Sequence, residues 1–422
     1  MASPINLLAA AESRGRLQQH TPGLREHLAT GPRTAYCGFD PTAPSLHAGN
    51  LVPVMMLRML AQHGHRVVAV VGGGTAMIGD PSGKSVERPL LTAAEVAANA
   101  AAIGAQLERL VGANVRLVDN GEWLQPLGAI PFLRDVGKHF PVNQMLAKET
   151  VKSRLDAGIS FTEFSYMLLQ AYDFLRLFTD HGVTIQVGGS DQWGNITAGC
   201  ELIRRSTGGE AHALTTPLLT AAGGKKFGKT EAGAVWLDAA KTSPFDFYQY
   251  WRNVDDTDVV PFLRLFTDEP DESLAECEAS LKTEPQARRA HTLLARLLTT
   301  LVHGEDQAAA AQTASAFLFT PGQDYGAFDD REFGLMNALA GRAKTDIAAG
   351  QRDVDVVALT HAAFDTSKSE ARRLLSQGGL SVNGEKLAST ATTIPLTSAI
   401  RGRWFVVKRG SQKIAVVELV QK

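Results

Sequence analysis

Four clusters in this chain of 422 residues combine side chains that can do chemistry. The first runs Tyr36-Cys37-Gly38-Phe39-Asp40-Pro41-Thr42-Ala43-Pro44-Ser45-Leu46-His47-Ala48-Gly49-Asn50 and reads as a strand, a small-residue turn and a helix start. A helix N-terminus offers unpaired N–H groups and a positive dipole end, which suits phosphate. Thr42 and His47 would add side-chain donors, and glycines such as Gly38 and Gly49 permit close approach of a nucleotide; His47 alone reads as well as a simple cap. The second cluster, Val71 to Ser85, imitates a phosphate loop, but Ile78 stands where such a loop needs glycine and Pro81 removes an amide. What remains is a glycine-rich strand end with an acid, Asp80, and a cationic stretch from Lys84 to Arg88. The third is Lys225-Lys226-Phe227-Gly228-Lys229-Thr230. Lysines around a glycine can swing onto developing phosphate charge, or they are a solvated charge run. The fourth is Tyr166, Gln170 and Asp173, whose i, i+4, i+7 spacing puts them on one helical face. Amid Phe161, Phe164, Met167, Leu168, Leu169 and Phe174, that polar stripe predicts a lined pocket; the alternative is a core tyrosine with two solvated neighbours.

The elements that must position these groups are legible in outline. Short β-branched stretches at Thr34–Phe39, Val67–Val71, Val115–Val118 and Val183–Val187 alternate with helical patterns, which predicts buried parallel strands in an α/β domain. Thr92 with Glu95 forms a capping box for an alanine-rich helix running towards Leu110. After Trp236 the pattern turns helical, including Ala287–His303 between Pro285 and Gly304. The expected organisation is a Rossmann-like catalytic domain at 1–235, with an inserted segment near 90–190 and a loop at 223–231. A helical domain at 236–320, a linker at 321–350 and a small basic α+β domain at 351–422 follow.

Composition narrows the function classes. With 44% hydrophobic and 20% charged residues the chain is globular, which excludes disordered and fibrous readings. The net charge is −2, yet Thr366 to Lys422 carries +7, leaving −9 elsewhere. That asymmetry points the C-terminal segment at nucleic acid, with an inert basic cap as the alternative. Cys37, Cys200 and Cys277 are too few and too scattered for a disulfide framework or a paired-cysteine metal site, so a reducing, cytoplasmic setting and no structural metal are expected. The N-terminal residues lack a basic region and meet Glu12 and Arg14 early, so neither a signal peptide nor a membrane span is expected.

His47-Ala48-Gly49-Asn50 and Lys226-Phe227-Gly228-Lys229-Thr230 resemble the two signatures of class I aminoacyl-tRNA synthetases. Tyr36–Leu46, Ile78–Lys84, Phe132–Phe140, Gly158–Leu177 and Gly188–Gly199 extend the resemblance to the bacterial tyrosyl-tRNA synthetases along nearly the whole chain. Ser367–Leu375 with Val382-Asn383-Gly384 is similar to an RNA-binding module shared with a ribosomal protein. Asn50 departs from the histidine of many relatives but can still donate a hydrogen bond.

The resemblance implies two steps: activation of L-tyrosine by ATP to tyrosyl-adenylate, then transfer to the 3′ end of tRNA(Tyr). It implies that Tyr36 and Asp173 bind the phenol hydroxyl, that Asp80, Tyr166 and Gln170 hold the ammonium, and that Gln186 and Gln192 complete the amino-acid end. Gly38, Asp40, His47, Gly49, Asn50, Asp191 and Lys229 would meet ATP. Thr42, His47, Lys84, Arg88, Lys226, Lys229 and Thr230 would stabilise the departing pyrophosphate. Mg²⁺ would arrive with ATP. Arg204, Arg205, Arg372 and Arg373 would contact tRNA, although Arg204-Arg205 also reads as a solvated helix end. A homodimer is expected by family analogy. Two other readings stay open: an RNA-binding paralogue without charging activity, and the tryptophanyl sister enzyme. The pairing of Tyr36 with Asp173 suits a phenol, whereas an indole offers only a donor.

Overall fold

A computed structural model of the chain describes residues 7–80, 82, 91–112, 114–152, 155, 158–221, 225–226, 228–230, 233–319, 324–339, 343–410 and 413–421. By internal contacts the chain divides into two compact units, residues 1–238 with 255–290, and residues 239–254 with 291–422.

The first unit is built on a six-stranded sheet of β1 (Gln19–His20), β2 (Thr34–Phe39), β3 (Arg66–Val71), β4 (Val115–Asp119), β5 (Ile185–Gly189) and β6 (His212–Thr216). Their spatial order is β1-β6-β5-β2-β3-β4, parallel throughout except for antiparallel β1 at one edge. The four strands expected from sequence are present; β6 extends the sheet. Burial explains the strand composition: all of β6 and five of six residues in β3 are buried, as parallel strands covered on both faces must be. The capping-box helix spans Ala93–Val111, with Thr92 and Glu95 bonding reciprocally.

The chain runs from β2 outward through β3 to β4, then returns across β2 to β5. The order of strands therefore reverses between β2 and β5, and in open α/β sheets ligands bind outside the carboxyl ends of the strands at such a reversal. At the opposite end of the chain order, the N-terminal segment is pinned by Arg16, only 1% exposed. Its guanidinium donates to the carbonyls of Leu265 and Thr267 at 2.8 and 2.7 Å and pairs with Asp268 at 3.1 Å.

Two short antiparallel pairs follow β6: β7 (Thr220–Ala221) with β8 (Lys225–Lys226), and β9 (Lys229–Thr230) with β10 (Gly233–Ala234). Helices Asp256–Phe266 and Asp271–Thr283 also belong to the first unit.

The second unit joins helices Pro244–Arg252, Glu305–Phe319 and Asp330–Leu339 to a C-terminal α+β module. The module contains β11 (Lys344–Ile347), β12 (Asp353–Asp355), β13 (Leu380–Val382), β14 (Glu385–Lys386), β15 (Thr393–Pro395), β16 (Trp404–Arg409) and β17 (Lys413–Gln421). Five strands form a sheet in the order β11-β17-β16-β13-β14, and β12 pairs with β15. Helices Val356–Phe364 and Lys368–Ser376 cover it through Leu359, Leu374 and Leu375, which join Phe405, Val407 and Val417 in one core.

Within the stretch expected as a linker, Asp330–Leu339 is a helix and Lys344–Ile347 is a strand of this sheet. Both are held by side chains: Phe333 stacks on Trp404, and the Asn337 amide donates to the carbonyls of Ala343 and Val416.

Candidate active site

At the strand-order reversal, Tyr36 on β2 and Gln186 on β5 are register partners. Two positions further along β2, Gly38 is exposed in an otherwise buried strand, and a Cβ there would meet open space. The strand thus leaves a gap at its carboxyl end. The Tyr36 ring packs 5.2 Å from Phe174, and Gly199 makes room for that phenyl ring, which an added Cβ would approach at 2.9 Å. The Tyr36 hydroxyl and the Gln186 Oε1 are buried with no hydrogen-bond partner. Burial, reinforced by the Asp173 charge, raises the Tyr36 pKa well above its ordinary value, so the group stays a neutral hydroxyl.

Helix Phe161–His181 starts at the Ser160 cap and stops at Gly182 in the left-handed region. It presents Tyr166, Gln170 and Asp173 as the spacing predicts, with Tyr166 and Asp173 buried. Asp173 accepts from the Asn120 amide and the Trp123 indole, each at 2.8 Å. Burial pushes its carboxyl up to about 7 against the opposing pull of those two donors. The Tyr166 hydroxyl donates to Asp40 Oδ2 at 2.9 Å. Asp40, expected at ATP, therefore bonds a residue expected at the substrate ammonium.

The glycine run beside β3 has a reason the sequence did not disclose. A Cβ on Gly72 would lie 2.2 Å from Asp40 Oδ1, and one on Gly73 would lie 2.3 Å from Asp119 Oδ1. The Gly73 and Gly74 amides donate to Asp119 and Asn120. These glycines seat carboxylate and amide side chains, not a phosphate. Lys84 and Arg88 lie outside the described residues.

A second polar group brings together residues expected at the amino-acid end. Gln192 donates to Asp80 Oδ2 at 2.7 Å, and the Asn195 amide donates to Gln170 Oε1 and Gln192 Oε1 at 3.1 and 3.2 Å. Asp191 lies in the turn Ser190–Gln192 before helix Trp193–Thr207, and its carboxyl is raised first by burial and then by the Asp80 charge. Gly189 permits this approach, since a Cβ there would sit 2.6 Å from Asp191 Oδ1.

His47 caps the turn Ala48–Asn50, which leads into helix Leu51–Gln62, by accepting from the Gly49 amide with Nδ1 at 3.0 Å. Asn50 accepts from the His47 amide with Oδ1, so this residue closes a capping box. The loop carrying Thr42 and His47 is held from helix Ala93–Val111: Asn99 donates to the Pro41 carbonyl, and Gln106 accepts from the Leu46 amide. The other lysine-rich motif comes to the same place. A Cβ on Gly228, whose φ is +73°, would lie 3.1 Å from the Gly49 amide nitrogen. Val235 and Leu237 bond to the backbone of Gly228, Ala48 and Leu46, with a bridge between His47 and Trp236. Of Lys226, Lys229 and Thr230 the side chains lie outside what is described.

A family model for class I tRNA synthetases (W and Y) matches residues 28–320. The chain belongs to the class I tRNA synthetases. A model of the C-terminal domain of tyrosine–tRNA ligases matches residues 338–417. Among curated relatives, tyrosine–tRNA ligase of Anaeromyxobacter dehalogenans is 47% identical over 98% of this chain and 99% of its own. That of Geobacillus stearothermophilus is 45% identical with the same coverage. A C-terminally truncated mitochondrial tyrosyl-tRNA synthetase of Aspergillus nidulans shares 30% identity and a TM-score of 0.67, covering 76% of this chain and 95% of its own.

In this class I synthetase the arginines expected at tRNA are more engaged than their sequence suggests. Arg204 and Arg205 both bond to Glu201, and Arg205 also donates to the His139 carbonyl at 2.7 Å. The hydrogen bond from Arg204 leads in holding the Glu201 carboxyl down to about 2. In the second unit Arg373 and Arg409 share Glu370, while Arg403 pairs with Glu418. The sequence reading missed Thr75, Asn120, Trp123 and Asn195. Thr75 lies within the Val71–Ser85 cluster and Asn195 within the Gly188–Gly199 stretch, and Asn120 and Trp123 follow closely on β4, but none was singled out.

Proposed function

We infer that this class I synthetase activates L-tyrosine with ATP and transfers the tyrosyl group to the 3′ end of tRNA(Tyr). One observation carries the amino-acid assignment: the buried, unpartnered Tyr36 hydroxyl lies within electrostatic reach of Asp173. A phenol hydroxyl both donates and accepts, so it satisfies both groups at once, whereas an indole N–H leaves the Tyr36 hydrogen without an acceptor. Nearly full-length likeness to tyrosine–tRNA ligases supports the same reading.

In the proposed binding mode the substrate ammonium meets Asp80, Tyr166 and Gln170, and Gln186 and Gln192 face the remaining polar atoms. ATP, with its Mg²⁺, lies over Gly38, Asp40, Gly49 and Asn50, and its ribose meets Asp191. The tyrosine carboxylate attacks the α-phosphorus, and the bond to pyrophosphate breaks. No covalent enzyme intermediate is needed, so catalysis is positioning and charge stabilisation. Thr42 and His47 serve from one side, and Lys84, Arg88, Lys226, Lys229 and Thr230 close over the pyrophosphate. The 3′ hydroxyl of tRNA then attacks the adenylate carbonyl, and AMP leaves. Arg204, Arg205, Arg372 and Arg373 contact tRNA.

The working arrangement is residues 1–235 for chemistry, 236–320 on the anticodon side, 321–329 as connection and 330–422 for RNA, in a cytoplasmic homodimer. In support of dimerisation, six of the nine large exposed apolar side chains among the described residues lie between Ile130 and Phe161, the latter 75% exposed. Among the described residues no helix is long and apolar enough to cross a membrane. Pyrophosphate exchange with tyrosine, tryptophan and no amino acid tests the reading. Exchange with tyrosine alone is the expected result, and exchange with tryptophan or with neither overturns it.

A further inference from the structure

Thr75 is 2% exposed and sits between the two ends of the amino-acid site. Its hydroxyl donates to Asp40 Oδ1 at 2.8 Å and accepts from Asn120 Nδ2 at 2.9 Å. The same Asn120 nitrogen donates to Asp173 Oδ2 at 2.8 Å, so both of its hydrogens are used. Asn120 Oδ1 accepts from the Gly74 amide at 2.8 Å, which fixes which end of the side chain is oxygen. On the far side, Asp40 also takes the Tyr166 hydroxyl. A carboxylate only accepts, so the Thr75 proton must point at Asp40 and its lone pair at Asn120. The direction of every bond from Asp40 to Asp173 is thereby set. Gly72 leaves the room for it: a Cβ there would sit 2.2 Å from Asp40 Oδ1 and 2.4 Å from Thr75 Oγ1.

We propose that Thr75 is a positioning residue for amino-acid specificity: by holding the Asn120 amide onto Asp173 it presents that carboxylate to the substrate phenol. Without the Thr75 hydroxyl, Asn120 has an N–H with no acceptor and is free to leave Asp173. A phenol then meets a carboxylate that is no longer aimed, whereas phenylalanine has no hydroxyl to lose. The effect falls on the discrimination between the two amino acids, since specificity is a difference of two affinities. This inference rests on the tyrosine reading of the site.

The test is pyrophosphate exchange with tyrosine and with phenylalanine, using the full-length chain as wild type, Thr75→Val and Thr75→Ser. Valine keeps the shape and removes the hydroxyl; serine keeps the hydroxyl. The expected result is a fall of roughly tenfold in kcat/KM for tyrosine in Thr75→Val, the size of one lost hydrogen bond, with phenylalanine nearly unchanged and discrimination recovered in Thr75→Ser. Equal losses for both amino acids in Thr75→Val, or no recovery with serine, overturn the proposal and leave Thr75 a packing residue. A wild-type chain that does not exchange with tyrosine refutes the tyrosine reading instead. Should the valine variant fail to fold by circular dichroism, Thr75→Cys, a poor donor of similar size, is read for the same ratio with the same two outcomes.

Discussion

Lowering the pH from 8 to 6 should weaken tyrosine binding through a single carboxyl group. Asp173 titrates near 7 because burial outweighs the two hydrogen bonds from Asn120 and Trp123. In the proposed complex its ionised form accepts the phenol hydrogen. About nine tenths of the groups are ionised at pH 8 and about one tenth at pH 6, so affinity should fall about tenfold across these two pH units, or ~1.4 kcal/mol. Equilibrium dialysis of labelled tyrosine without ATP reads this directly and avoids the titration of the nucleotide phosphates. Tyr36→Phe should bind more weakly but keep the midpoint, and Asp173→Asn should bind weakly with no midpoint at all. A flat wild-type profile, or the same step in Asp173→Asn, would refute the reasoning. The same shift has a stability consequence of opposite direction. Between the usual carboxylate range and pH 7 the native state holds a proton that the unfolded chain has released, so this group's contribution to stability declines as the pH rises through that window.

Lys229→Ala should slow adenylate formation by roughly 2.7–4 kcal/mol with little change in substrate dissociation constants, as for a contact made only in the transition state. Lys225→Ala, one step outside the signature, should be nearly silent in the same rapid-quench measurement. Ending the chain before Asp324 should preserve pyrophosphate exchange and abolish charging of tRNA. A cut before Thr366 should instead give an insoluble product, since it separates β11 and helix Val356–Phe364 from the strands they pack on. Arg16→Ala should lower stability by about 3–5 kcal/mol in urea unfolding, because the backbone carbonyls of Leu265 and Thr267 lose a buried charged donor.

The strands that carry the site and the helix face bearing Tyr166, Gln170 and Asp173 were legible because each depends on a local period, 2 or 3.6 residues, or on a cap. The two signatures were legible as motifs, but their contact was not. Gly228 meets Gly49 only after the sheet has brought distant segments together. The polar partners Thr75, Asn120, Trp123 and Asn195 carry no period of their own; each bonds a residue at least 25 positions away except for the bond from Asn195 to Gln192. The glycine run was read only as a glycine-rich strand end, whereas its constraint is the bulk of Asp40 and Asp119 opposite. Charge counting likewise overstated the free cations, because Glu201 and Glu370 each hold two arginines.

The pairing of Leu46–Ala48 with Val235–Leu237 fixes when, during synthesis, this chain becomes competent. His47 is made early, yet the segment that bridges to it through Trp236 is made close to two hundred residues later. A nascent chain can form β2, β3 and β4 in order, but β5 must still insert beside β2, and Trp236 must arrive before both signatures face one another. Such long-range closure is entropically slow. An N-terminal fragment ending before Trp236 is therefore expected to keep the segments that carry Tyr36, Tyr166 and Asp173 while lacking the bridge to His47.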